Sequence, residues 1–212
     1  MTMNSKEIRA FNFEVRAENY TREDNETTGQ RLTGRPILYD SRTNLGWYDE
    51  IIDAGALDNA DLKDVRFLVN HNTDMIPLAR SRNNNANSTM QLEVVEEGMD
   101  IRVDLDTENN TDARSLYSAV ERGDISGMSF MFIVDEDAWE DLDTDHPTRH
   151  IRSITKVFEV SAVTFPAYEE TSIQARGLSD ALESARASLE SARAEAREIE
   201  RRKKKIRLLM EV

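Results

Sequence analysis

The 212-residue sequence contains no cysteine. That absence excludes disulfides, thiol nucleophiles and thiolate metal sites, and leaves nucleophilic chemistry to Ser, Thr or Lys. Histidine is nearly as scarce, so a mechanism that needs an imidazole has three candidates, His71, His146 and His150. No apolar run approaches the roughly 18 to 20 residues that span a bilayer, and the opening MTMNSKEIRAFNF lacks the apolar h-region of a signal peptide. A soluble chain of the cytoplasm, with no membrane partner, is expected. Cations are also in deficit: 27 Lys and Arg stand against 41 Asp and Glu, for a net charge of -14 and a pI near 4.7. This argues against a general affinity for nucleic acid, because phosphate binding depends on basic side chains releasing counterions.

What is present suits one domain with a proper core plus an extension. Phe11, Phe13 and Val15 alternate with Asn12, Glu14 and Arg16 as in a half-buried strand. Residues 19–30 are polar and turn-rich and read as an exposed loop, followed by a short strand around Ile37 and Tyr39. A short helix or irregular segment is expected at residues 56–60. Residues 65–70 read as a strand with His71 at its mouth. Met90, Leu92 and Val94, then Met99, Ile101, Val103 and Leu105, alternate on either side of a Glu-Glu-Gly turn and predict a hairpin. Over residues 112–121, Ala113, Leu116 and Ala119 or Val120 have helical spacing, with Gly123 just beyond as a C-terminal stop.

The next stretch, GDISGMSFMFIV, places Met128, Phe130, Phe132 and Val134 on one face and Ser129, Met131 and Ile133 on the other. Apolar residues on both faces predict a strand buried on both sides. An acidic loop is expected at residues 135–145 around Trp139, then a long strand over residues 151–165 ending at Pro166. About seven strands and one or two helices add up to an α+β fold, a mainly antiparallel sheet or barrel. From Leu178 the composition turns to Ala, Glu, Arg and Ser, and LESARAS is followed directly by LESARAE. Leu182, Ala185, Leu189, Ala192, Ala196, Ile199 and Ile206 form a 3-4 seam broken at Lys203, which predicts a C-terminal helix with weak coiled-coil character. The division expected is therefore a body over residues 1–177 and a helical extension over 178–212. The extension carries nine cations and seven anions, so its +2 leaves -16 on the body. Such a helix could tether a partner, support a homo-oligomer, or simply pack on the acidic body.

Three segments carry an unexpected polar group in an apolar strand. Glu159 stands between Phe158 and Val160, where an unpaired carboxylate would cost several kcal/mol or take up a proton. An imidazole whose Nδ1 proton faces that carboxylate keeps Nε2 free to act as base toward a hydroxyl. An Arg or Lys partner, or an edge strand open to water, would satisfy Glu159 as well. His71 is the one histidine at the end of an apolar strand. His146 and His150 have metal-like spacing, but Pro147 and the turn-like HPT argue against the helix that spacing needs, so they read as loop residues and no metal site is expected. Ser129 and Ser126 are the hydroxyls of the strand entry, and GMSFM is not the nucleophile elbow of α/β-hydrolases, since Met131 replaces the second glycine and a strand follows in place of a helix.

Together these segments resemble the prohead maturation proteases of tailed bacteriophages, serine endopeptidases with a fold related to the herpesvirus assemblins. The resemblance is carried by FLVNHNTDMIPLAR, by RGDISGMSFMF, similar to the family's rG-x-i-x-g-x-S-x-g-F, and by FEVSAVTFPAYEET, similar to its l-x-E-V-S-x-V-x-x-P-A-Y. It covers about residues 8–176. It implies Ser129 as nucleophile, His71 as general base and then acid, and Glu159 as the group that orients the imidazole, with Ser126 as the fallback nucleophile. Met131 departs from the family's usual glycine. By analogy with the assemblin fold, Arg149 or Arg152 would belong to the region that supplies oxyanion donors. The implied activity is cleavage of scaffold, of the scaffold-like part of the major capsid protein, and of the protease itself, inside a procapsid built in the host cytoplasm, without a cofactor. The rival is a non-enzymatic procapsid assembly factor that retains the fold.

Overall fold

The long strand near the C-terminal end of the body is the spine of the fold. In a computed structural model, which describes residues 6–11, 15–21, 28–164 and 174–210, this strand runs Thr148–Val163 and is β11 in a series of eleven strands and two helices among the described residues. One edge of β11 pairs antiparallel with β10 (Gly127–Glu140) along its whole length. Its other edge is shared by two parallel partners, β5 (Asp49–Ile52) on its first half and β6 (Asp64–Val69) on its second. β1 (Lys6–Phe11) closes the far side of β10, β4 (Thr43–Asn44) pairs β5, and β7 (Ala79–Arg82) pairs β6, giving a mixed seven-stranded sheet. A second, four-stranded antiparallel sheet has the order β2 (Arg16–Thr21), β3 (Thr28–Leu38), β9 (Gly98–Leu105), β8 (Met90–Val95). Leu32, Ile37, Met90 and Met99 of this sheet join Phe67, Phe130 and Phe132 of the first in one buried cluster. The architecture is α+β with a C-terminal helix, and both sheets stay open; the barrel alternative is not realised.

The predicted hairpin is β8–β9, and the predicted helix is α1, Thr111–Glu121. The Asn110 side chain caps its first turn by accepting from the Asp112 and Ala113 amides. Gly123, at φ +79, ends it: the Gly123 amide reaches the Val120 carbonyl and the Asp124 amide the Ala119 carbonyl, a paired closure that needs the left-handed conformation glycine tolerates. β10 starts four residues later, so this stop aims the strand that carries Ser129.

Several expectations differ from the structure. Residues 19–21 and 28–30 are not loop but part of the β2–β3 hairpin. β2 is an edge strand whose side chains are mostly exposed, and a polar strand of that kind leaves no alternating apolar signature. Residues 135–140 are likewise strand, because pairing with β11 continues to Glu140, through register shifts at Met131/Phe132 and at three further points down to Asp137. Such bulges bend a strand, and they hide its period in the sequence. At residues 56–60 the irregular alternative holds, since they form turns with no helix. β11 begins at Thr148, so His150 is a strand residue and only His146 lies in the loop before it. Phe13 and Pro166, with the rest of the FPAYEET motif, lie outside the described residues.

The C-terminal helix α2 spans Gln174–Met210. Its seam meets the body rather than another helix: Ala185 and Leu189 are buried in a cluster with Tyr48 and Trp139, with Leu182 and Ala192 packed around them. Polar contacts fix the same face. The Trp139 indole donates to Ser188 Oγ at 3.0 Å, Ser188 Oγ donates to Asp137 at 2.9 Å, and Arg193 Nε donates to the Leu142 carbonyl at 2.9 Å. Beyond these turns the seam is bare, with Ile199 44%, Ile206 58% and Leu209 70% exposed. No described helix is long and apolar enough to cross a membrane.

Candidate active site

The geometry of this site follows from how β6 ends. After Val69 the chain turns through Asn70 and His71, both left-handed, at φ 51 and 55. That conformation costs a residue with a side chain about 1 kcal/mol or more and must be held by its surroundings. Asn70 holds it. Its amide donates to the Ala162 carbonyl at 3.0 Å, its Nδ2 donates to Thr164 Oγ1 at 3.0 Å, and its Oδ1 accepts from the Thr164 amide at 2.9 Å. The turn brings the His71 ring over β11, where Nδ1 lies 2.5 Å from Glu159 Oε1.

Glu159 is 3% exposed and both of its oxygens are occupied. Ser161, fully buried on the same face of β11, donates its hydroxyl to Glu159 Oε2 at 2.6 Å and accepts the His71 amide at 3.1 Å. A carboxylate can only accept, so Nδ1 carries the proton, and in the neutral ring Nε2 presents a lone pair. Nε2 is buried and has no hydrogen-bond partner among the described residues. Among the described residues no arginine pairs with Glu159. Arg66 faces Glu159 in the strand register, yet its guanidinium turns to Asp64 at 3.1 Å.

Ser129 is the third residue of β10, fully buried, with Ala10 of β1 beside it in register on one side and Ser161 on the other. The fold thus brings all three expected residues to neighbouring strands, and links two of them directly. The third link differs: the Ser129 hydroxyl donates to the Arg9 carbonyl at 2.7 Å, not to His71 Nε2. Ser126 is exposed ahead of β10, and its carbonyl accepts the Val15 amide at 3.3 Å. Met131 does not have a positive φ, so the strand makes no use there of the freedom a glycine would provide.

Arg9 belongs to a buried ionic cluster. Its guanidinium contacts Glu50 and Glu7, and Arg149 bonds Glu7 at 2.8 Å, Glu50 at 3.3 Å and Asp137 at 2.7 Å; Arg9, Glu7, Glu50 and Arg149 are each at most 2% exposed. Burial opposes the charges of Arg9, Glu7 and Arg149. For Arg9 the attractions led by Glu50, with Glu7 among them, together outweigh it and raise the guanidinium pKa well above the ordinary value, and for Glu7 those of Arg9 and Arg149 together outweigh it and hold the carboxyl below its ordinary value. Arg149 is therefore committed to structure, with its donors taken by carboxylates. Arg152 lies on the surface, 56% exposed and 3.7 Å from Glu136. His146 pairs with Asp49 at 2.8 Å and His150 with Asp53 at 2.7 Å, and no three potential metal ligands gather among the described residues.

Sequence reasoning missed Ser161 and the backbone of Arg9. Ser161 had a signal, since it sits two residues from Glu159 on one strand face. The Arg9 carbonyl had none, because any residue at that register position offers the same group.

The sequence model of the caudovirus prohead serine proteases matches residues 13–184, which include His71, Ser129 and Glu159. The chain belongs to this family. Membership makes the prohead protease a serine protease of procapsid maturation, associated with the procapsid. Among solved structures, that of the bacteriophage T4 capsid assembly protease, gp21, is similar over 74% of this chain and 98% of that one, with 12% identity and a TM-score of 0.40. No curated protein matches the prohead protease by sequence.

Proposed function

We propose that this prohead protease cleaves scaffold, or the scaffold-like part of the major capsid protein, and itself, through a Ser129, His71, Glu159 triad acting inside the procapsid. The observation that carries the reading is the His71–Glu159 pair, which leaves an imidazole nitrogen with no hydrogen-bond partner among the described residues, over β11, the strand that pairs with that of Ser129. In the reaction the Ser129 hydroxyl exchanges the Arg9 carbonyl for His71 Nε2 by rotation of its side chain. Nε2 takes the proton as Oγ attacks the scissile carbonyl, and the imidazolium that forms is stabilised by Glu159. It then returns the proton to the leaving amine. Water, deprotonated by the same nitrogen, hydrolyses the acyl-enzyme, and no cofactor enters. Residues 1–177 form the protease domain in this reading, and residues 178–212 the extension.

The rival, an assembly factor that hydrolyses nothing, is favoured by one observation, the engagement of the Ser129 hydroxyl with Arg9. Co-expression with the cognate capsid and scaffold proteins separates the two. Wild type shortens at least one of the three chains by mass spectrometry and Ser129→Ala leaves all at full length; identical masses in both would exclude the protease reading for this chain. Labelling with a fluorophosphonate, followed by peptide mapping, places the adduct on Ser129. An adduct on Ser126 would reassign the nucleophile.

A further inference from the structure

Beyond the docked turns of α2, two surfaces are left open among the described residues, and they match each other. One is a cleft of about 880 Å³ between α2 and β10. Its apolar lining includes Val134, Trp139, Ala196 and Ile199, and its acidic groups are Glu7, Asp135, Asp137, Glu183 and Glu195. Glu7 and Asp137 are spent on Arg149, the one basic side chain of the lining, whereas Asp135, Glu183 and Glu195 are exposed on its rim. The cleft is an apolar slot with an anionic border.

The other surface is the projecting tip of α2. Residues 201–210 hold six cations and no anion, so an overall -14 less this +6 leaves -20 on the rest of the chain. Arg202 and Lys203 pair within the helix, with Glu198 and Glu200. Among the described residues Arg201, Lys204, Lys205 and Arg207 have no carboxylate partner. At 100° per residue Ile199, Ile206 and Leu209 fall on one stripe with Arg202 among them, Lys205 along one side and Lys203 and Arg207 along the other. All three apolar residues are exposed. The tip is an apolar ridge with a cationic border.

The tip cannot fill the cleft of its own chain. A helix rises 1.5 Å per residue, so residues 201–210 lead away from Ile199, the last residue of the lining, and end roughly 16 Å beyond it. We propose that the cleft receives the α2 tip of a second copy of this chain. The two surfaces differ and each copy carries both, so the contact is head to tail, and it either closes into a ring or runs on as an open chain. Exposed charge pairs frame the contact, which makes it weak at high ionic strength.

Sedimentation velocity on the full-length chain tests this, with Ser129→Ala as the parent to prevent self-digestion. At tens of micromolar, in roughly 20 mM salt, the parent sediments as oligomers, and in roughly 500 mM salt it dissociates. Reversing the tip with Lys204→Glu, Lys205→Glu and Arg207→Glu weakens self-association by roughly 100-fold, and reversing the rim with Asp135→Lys, Glu183→Lys and Glu195→Lys does the same. An equimolar mixture of the two reversed chains associates again, because each tip then faces a rim of opposite sign. Circular dichroism establishes that each reversed chain folds, so the mixture reports on the contact alone. A parent that stays monomeric at low salt, a tip-reversed chain that associates like the parent, or a mixture that stays monomeric would each overturn the proposal.

Discussion

Replacing Glu159 by Gln keeps the size of the side chain and removes its charge, which makes it the sharpest test of the triad. Glu159 Oε1 accepts from His71 Nδ1 at 2.5 Å and Oε2 accepts from Ser161 at 2.6 Å, so the new amide meets a donor on each side. If its NH2 faces the ring, the imidazole must carry its proton on Nε2 and cannot take the proton of Ser129. If its carbonyl faces the ring, the NH2 meets Ser161 Oγ, whose own proton loses its acceptor. In either case the imidazolium of the transition state loses a buried counter-charge. The loss expected is roughly 1,000- to 10,000-fold in kcat, about 4 to 5.5 kcal/mol of barrier. Fluorophosphonate labelling of Ser129 under pseudo-first-order conditions measures it, with circular dichroism to establish that the variant folds. A folded variant labelled within about tenfold of wild type would refute the assignment of Glu159, because an oriented, charge-stabilised imidazole is what a triad acid supplies.

Ser161→Ala frees Glu159 Oε2 and the His71 amide together; we expect a fall in kcat with little change in KM, and recovery in Ser161→Thr, which keeps the hydroxyl. Glu50→Gln withdraws one of the two buried carboxylates shared by Arg9 and Arg149. Leaving buried cations short of a partner costs about 3–5 kcal/mol, read as a lower urea midpoint by the fluorescence of Trp47 and Trp139. Because Arg9 and Arg149 overcome the burial of Glu7 and hold its carboxyl below the ordinary 4.5, its contribution to stability is complete above that pH and is lost as pH falls through the depressed folded value. The urea midpoint accordingly falls in acid, and Glu7→Gln makes that fall shallower while lowering the midpoint at neutral pH.

What could be read from the sequence was whatever one contiguous segment specifies. The β8–β9 hairpin is an alternating pattern on either side of a turn, and α1 announces itself by helical spacing and Gly123. The second half of β10 could not be read, because Asp135–Glu140 are strand only through the ladder that β11 provides. β2 escaped for the opposite reason, as an edge strand with little to bury.

The same division runs through the site. Glu159 in an apolar strand demanded a partner, and His71 was the one suitably placed imidazole, but desolvation alone left an Arg or Lys partner or an edge strand open as well; the pairing was implied by the family resemblance, and the fold brings the two together. Where the Ser129 hydroxyl points did not follow. It is set by a backbone carbonyl 120 positions away, on a strand whose neighbour is chosen by sheet topology. The fate of α2 divides likewise: its helicity is local, whereas the side of its seam that docks depends on where Tyr48 and Trp139 lie. Local pattern determined the apolar strands, the helices and the ionisable groups that need partners; only the tertiary structure decided the remaining strands and which partners those groups take, since a hydrogen bond depends on position to a few tenths of an ångström and a sequence pattern does not specify position.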